Sequence, residues 1–332
     1  MPGLRVVSGA VAAGLVAAGA AATAQAAVQH SRVVAEVQRR LADTTYQRLG
    51  DIGTVDALSV LPLVDRRVQR PGLRGEPGVS YLVRAGREVL LFDTGLNLFG
   101  RSRSALVDNA EALGVDLAQV PAVVLSHQHD DHVGGVRARR AGSFAFSGDP
   151  IEPPGLLAYA PVHLQHPSAE VRVTTRATVL APGIALLPPL PAALFWDGAP
   201  VLEQALVVNV RGVGLVLVSG CGHPGAAAML NVAQEVLDVS LHGVIGGLHL
   251  PVRPWPRHLP QALTGSPRPP WRPLSEPDID VAVTRLRAAG VSLVAVSGHD
   301  STPHTMSRFA AAFGAGFREV QVGDEIRVEG RQ

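Results

Sequence analysis

The sequence predicts an α/β fold in which two mixed β-sheets pack face to face with helices on the outer faces, an αββα sandwich. Short apolar runs of strand length alternate with helix-length segments along most of the chain, a pattern that calls for sheets covered by helices. Of the 332 residues, 47% are apolar, enough to fill the core of one domain of about 250 residues plus a leader.

The elements follow in order. Behind a lone Arg5, the stretch Val6 to Val28 carries no charge and ends near a small-x-small triplet, Ala24-Gln25-Ala26. Residues 1–28 therefore read as a signal peptide or an N-terminal membrane anchor. Either reading places the folded part outside the cytoplasmic membrane, periplasmic or extracellular. Residues 29–54 read as a linker or helical lead-in, and 55–330 as the domain. Strands are expected at Ser59–Val64, Val79–Val83 and Glu88–Phe92, the last two joined by a hairpin at Ala85-Gly86-Arg87. A helix is expected at Ala105–Leu113, and a buried strand within Val120–Leu125. Further strands are expected at Ala177–Leu187, Glu203–Val210 and Leu215–Val218, followed by a helix at Ala226–Leu237. The apolar run Val291–Ser297 reads as another strand, before a helix near Pro303–Phe313. Residues 251–277 are crowded with Pro and fit no packed element. They carry Trp255, Trp271, Arg253, Arg257, Arg268 and Arg272, and read as a lid or pocket wall with affinity for an anionic substrate, or else as a solvated insertion.

Composition excludes some functions. Lys and Arg number 29 against 28 Asp and Glu, a net charge of +1. Without a basic block or an interleaved basic and aromatic stripe there is no footprint for nucleic acid. The expected partner is a small molecule, and any membrane contact runs through the N-terminal segment alone. Cys221 is the sole cysteine, which excludes an internal disulfide.

The most informative segment is Ser126-His127-Gln128-His129-Asp130-Asp131-His132. Imidazole and carboxylate are the ligand set of Zn²⁺ and neighbouring divalent ions. At the end of a strand, His127 and His129 leave on the same side because side chains alternate with period two. Asp131 and His132 lie beyond the bend and face a second ion, so the spacing indicates two metals. Three more apolar runs end the same way: Gly220-Cys221-Gly222-His223, Gly246-Gly247-Leu248-His249 and Gly298-His299-Asp300.

The His-x-His-x-Asp-His motif after a buried strand resembles the metallo-β-lactamase superfamily of dinuclear metal hydrolases. Leu90-Leu91-Phe92-Asp93-Thr94-Gly95 resembles its first motif, which implies that Asp93 braces the metal-binding loop. In many members the strand before position 221 ends in Gly-Asp, the Asp bridging the metals; here Cys221 and then His223 follow Gly220. That segment and Gly-Gly-Leu-His-Leu at 246–250 resemble the branch named for dihydropterin-ribofuranosylaminobenzene-phosphate synthase. The branch typically shows His-Cys-Thr-Gly where this chain has His299-Asp300-Ser301-Thr302, so a role for that Cys does not carry over.

The resemblance implies two divalent ions, zinc by preference, that generate hydroxide from water. His127, His129 and His223 are expected on the first ion and Asp131, His132 and His249 on the second. Asp131 and His132 are the expected catalytic residues, and Asp93, Cys221, His299 and Asp300 further site residues. The expected function is exported hydrolysis of a small ester, phosphoester or lactone. Two alternatives stand beside it: the condensation of the branch's namesake, and a non-catalytic metal-containing binding protein. Thiolate in place of a bridging carboxylate leaves open whether one or two ions bind tightly.

Overall fold

A computed structural model describes residues 3–253, 259 and 265–331, with side chains from residue 21 onward within that range. Trp255, Arg257 and His258 lie outside the described residues.

Helix α1 (Gly3–Asp43) leads into the domain. Its second half is docked: Val33 and Val37 are buried, and His30 packs against Phe195 at 5.4 Å between ring centroids. No helix among the described residues is long and apolar enough to cross a membrane.

The first sheet takes in β1 (Ala57–Val64), β2 (Ser80–Ala85), β3 (Glu88–Phe92), β4 (Ala122–Val124), β5 (Leu156–Ala160), β6 (Ala169–Val173) and β16 (Ile326–Glu329), in the order β16-β1-β2-β3-β4-β5-β6. The second takes in β7 (Thr178–Ala181), β8 (Ile184–Leu186), β11 (Leu206–Val210), β12 (Gly214–Ser219), β13 (Leu241–Gly246), β14 (Leu293–Ser297) and β15 (Phe317–Val320), in the order β15-β14-β13-β12-β11-β8-β7. A small hairpin pairs β9 (Leu190–Ala192) with β10 (Val201–Glu203). Both seven-stranded sheets are mixed, as expected.

Between them lies one apolar layer in which Val60, Tyr81, Val83 and Phe92 of the first sheet meet Val208, Val216, Val218 and Ile245 of the second. The outer face of the second sheet is covered by α4 (Ala226–Val236), α5 (Glu276–Ala288) and α6 (Pro303–Phe313), through Leu230, Ala233, Ile279, Leu286 and Phe309. The outer face of the first is covered by α2 (Ala105–Ala112), through Ala105, Leu106 and Ala110; the short α3 (Val136–Arg140) follows the histidine motif. Caps fix where these helices start. Ser104 accepts from the Val107 N–H, Thr302 from the Thr305 N–H, and Ser275 with Asp278 forms a capping box.

Three expectations change. Ala177–Leu187 is two strands, β7 and β8, because the Pro182-Gly183 turn folds the run back on itself and Pro182 has no N–H for a ladder. Glu203–Val210 divides at Gln204, whose N–H and Nε2 donate across to the carbonyls of Ser126 and Leu125 at 2.9 and 2.8 Å. That diversion aims Glu203 away from β11. Helix α5 begins at Glu276, inside the span 251–277 read as insertion.

Ile245 is wholly buried between the sheets. Ile245→Ala is expected to lower unfolding free energy by about 2–5 kcal/mol, read from the denaturant midpoint at unchanged slope.

Candidate metal centre

Parallel pairing decides where the chemistry sits. β12, β13 and β14 run parallel, so the segments after them, ending in Cys221, His249 and His299, leave the sheet at one edge. β3 and β4 run parallel in the facing sheet and deliver Asp93 and His127 to the same edge. The two sheets close on each other there. An added Cβ at Gly220 would lie 2.2 Å from Ser126 Oγ, and one at Gly247 would lie 2.2 Å from the Gly220 carbonyl. Only glycine permits either approach.

The ligand atoms converge around the thiol. Those of Asp131, His132, Cys221 and His299 lie within 4.8 Å of one another, as do those of His127, Cys221 and His223, and those of Cys221, His249 and Asp300. Cys221 Sγ lies 3.1 Å from His132 Nε2 and 3.2 Å from His299 Nε2. His129 reaches the centre through Nδ1, which lies 3.0 Å from His127 Nε2. The structure therefore puts His299, rather than His249, beside Asp131 and His132. It sets His249 against His223, 4.7 Å between ring centroids.

Each remaining imidazole has its outward nitrogen tied to a neighbour. His127 Nδ1 meets Ser126 Oγ at 2.9 Å, and His132 Nδ1 meets Asp93 Oδ2 at 2.7 Å. His223 Nδ1 meets Glu203 Oε2 at 3.0 Å, and His129 Nε2 meets Asp197 Oδ2 at 3.4 Å. His299 Nδ1 meets Ser297 Oγ at 2.6 Å, and that hydroxyl also pairs with Asp65. One nitrogen anchored outside and the other turned inward among the remaining donors is the arrangement of metal-binding histidines.

Asp93 holds the loop after β4. Its carboxylate accepts from the N–H and Oγ of Ser126 at 2.6 and 2.7 Å, as well as bracing His132. It does so from a left-handed backbone, φ 61°, a conformation that costs a non-glycine residue about 1 kcal/mol or more. Asp65, Asp197 and Glu203 were missed from sequence. Glu203 has the widest reach: it accepts from the backbone N–H groups of Cys221, Gly222 and His223 at 3.1, 2.7 and 2.9 Å. The one available signal was a carboxylate at the head of an otherwise apolar run.

Most of these rings are held neutral. Burial, and then the neighbouring imidazoles, hold His127, His223, His249 and His299 well below the ordinary histidine range, so each presents a neutral lone pair. Burial works in the same direction on His132, but Asp131 and Asp93 overcome it and carry this ring to about 9. Burial, with Asp131, Asp300 and Glu203 adding to it, pushes the Cys221 thiol well up. Such a thiol ionises readily only beside a metal. Donor types and anchoring fit divalent cations: His127, His129 and His223 would hold an ion on one side of Cys221, and Asp131, His132 and His299 on the other.

A cleft of about 410 Å³ opens over this centre. His129, Asp131, Cys221, His223, His249, His299 and Asp300 reach it, and Pro77, Leu96, Leu98, Trp196 and Arg139 line its walls. The arginines of the Pro-rich segment do not line it among the described residues. Arg253 and Arg268 pair instead with Glu276 and Asp278 of α5, and Trp271 stands edge-on to Phe195 at 5.4 Å.

Replacing Glu203 with Gln removes the charge that orients His223 while leaving a group of the same size. Zinc affinity of the first site is expected to fall roughly 10–100-fold, measured by competition with a chromophoric chelator.

Known proteins share this fold. Residues 73–140 match the family model of the metallo-beta-lactamase superfamily. Among solved structures the chain is similar to Tm1679, a metal-dependent hydrolase of the β-lactamase superfamily, with TM-score 0.58 and 21% identity over 82% of this chain and 99% of that one. It is also similar to the metallo-beta-lactamase fold protein YhfI from Bacillus subtilis, with TM-score 0.51 and 15% identity over 82% of this chain and 100% of that one. No curated relative matches by sequence. The chain thus has the metallo-β-lactamase fold, and its residues 73–140 carry that superfamily's sequence pattern.

Proposed function

We propose that this protein is a metal-dependent hydrolase that holds two divalent ions, zinc by preference, and cleaves a small ester, phosphoester or lactone. The observation that carries this reading is the gathering of His127, His129, Asp131, His132, His223 and His299 around Cys221 at the floor of one cleft, with all five imidazoles anchored from outside. Divalent ions bound there supply Lewis acidity and bring the pKa of water near neutrality.

The chain's own groups do the rest. Asp131 reaches the cleft with a partly exposed carboxylate, 3.7 Å from His132 Nε2, placed to take a proton from an attacking water and return it to the leaving group. Asp93 and Glu203 keep His132 and His223 from turning. Leu98 and Trp196 offer the substrate's apolar part a wall, and Arg139, held 3.5 Å from Asp130, offers a cation to an anionic group. The substrate is a small molecule; nothing in the charge distribution suits nucleic acid.

Export of the folded part fits the docking of α1. A cut after Ala26 would leave His30, Val33 and Val37 in place against the domain.

Asp131→Ala is expected to lower kcat/KM on the best substrate of a panel of p-nitrophenyl esters, p-nitrophenyl phosphates and lactones by roughly 10²–10⁴-fold, with an unchanged far-ultraviolet circular dichroism spectrum. Zinc-loaded protein that turns over none of the three classes would count against hydrolysis and leave a binding role.

A further inference from the structure

His249 does not fit the pattern of the other rings. It is 6% exposed, yet neither of its ring nitrogens has a hydrogen-bond partner among the described residues. The Gly265 backbone lies beside the ring without meeting hydrogen-bond geometry. Buried polar nitrogens are rarely left this way, and each such case needs a partner supplied from elsewhere. The backbone beneath the ring is held in place: φ is 47°, and the His249 N–H donates to Asp300 Oδ2 at 3.0 Å.

Asp300 stands against the same ring. Its other oxygen, Oδ1, accepts from Ser301 Oγ at 3.0 Å, and His299 Nε2 lies 3.8 Å from Oδ2. Neither carboxylate oxygen is saturated by these contacts. Cys221, His249 and Asp300 bring one sulfur, one nitrogen and one oxygen within 4.8 Å of one another, and all three residues line the cleft.

We propose that Cys221, His249 and Asp300 form a third divalent-cation position, which shares the Cys221 sulfur with the site of Asp131, His132 and His299 and competes with it for the second ion. The proposal rests on the metal-centre reading above. A mixed sulfur, nitrogen and oxygen set of three, open toward the cleft, suits Zn²⁺ or Co²⁺ and is poor for Mg²⁺ or Ca²⁺, which take more oxygen ligands. A thiolate bridges two ions, so the chain holds two at a time. The second divides between Asp131 with His132 and His299 on one side, and His249 with Asp300 on the other.

The test is metal content of the full chain loaded with Zn²⁺ and freed of excess without chelator, in four forms: parent, Asp131→Ala with His132→Ala, Asp300→Asn, and all three substitutions together. Asn at 300 keeps an acceptor for the His249 N–H, and His249→Gln added to the double variant serves as an independent route to the same loss. Circular dichroism verifies that each form is folded. The proposal predicts about two equivalents in the parent, the Asp131/His132 variant and Asp300→Asn, and about one when the sets are combined. With Co²⁺, the near-ultraviolet sulfur-to-cobalt band of the Asp131/His132 variant is expected to shift when Asp300 or His249 is also replaced. A fall to about one equivalent in the Asp131/His132 variant alone would overturn the third position and leave the dinuclear centre standing. No zinc in the folded parent would overturn both.

Discussion

Burying several imidazoles, a thiol and carboxylates at one point is costly unless the rings are held by partners. That constraint organises this protein. Asp93, Ser126, Asp197, Glu203 and Ser297 each take one nitrogen of a histidine and leave the other facing inward. Burial then keeps most of the rings neutral, and neutral lone pairs around a thiol form a cation site. Without the outer partners the same side chains would be a set of unsatisfied donors and acceptors, free to rotate into one another.

The sandwich exists to bring those two sets together. Inner and outer partners come from both sheets: Asp93 and His127 follow β3 and β4, while Cys221 and His299 follow β12 and β14. Glu203 leaves the small β9–β10 hairpin and reaches under the loop after β12. Such an arrangement tolerates no slack, which is why Gly220 sits where the two edges touch, Gly247 where the segments after β12 and β13 pass each other, and why Asp93 and His249 hold left-handed backbones. Strain at these points is supported by the apolar layer between the sheets, where Val216, Val218 and Ile245 admit no water.

Much of this was legible in the chain because the signals are local. His127 to His132 is a contiguous segment, and Cys221, His223, His249 and His299 each follow an apolar run and a glycine, so strand ends announce them. The layered α/β architecture followed from the same alternation. What escaped depends on contacts far apart in sequence. Nothing around Glu203 says that it caps the loop holding Cys221 and His223, and nothing around Asp65 links it to His299 through Ser297. The division of Ala177–Leu187 was hidden by its continuous apolar character, which masked Pro182-Gly183. That His299 rather than His249 stands beside Asp131 follows from loop paths after two neighbouring parallel strands, which periodicity does not encode.

The arrangement requires bound ions on either side of Cys221, at the meeting edge of the two sheets. X-ray diffraction from zinc-loaded crystals, recorded on both sides of the zinc absorption edge, tests it most directly. Two anomalous peaks are expected beside Cys221, each about 2.3 Å from its sulfur, one of them against His127 and His223. Anomalous density confined to surface histidines, with none beside Cys221, would contradict it.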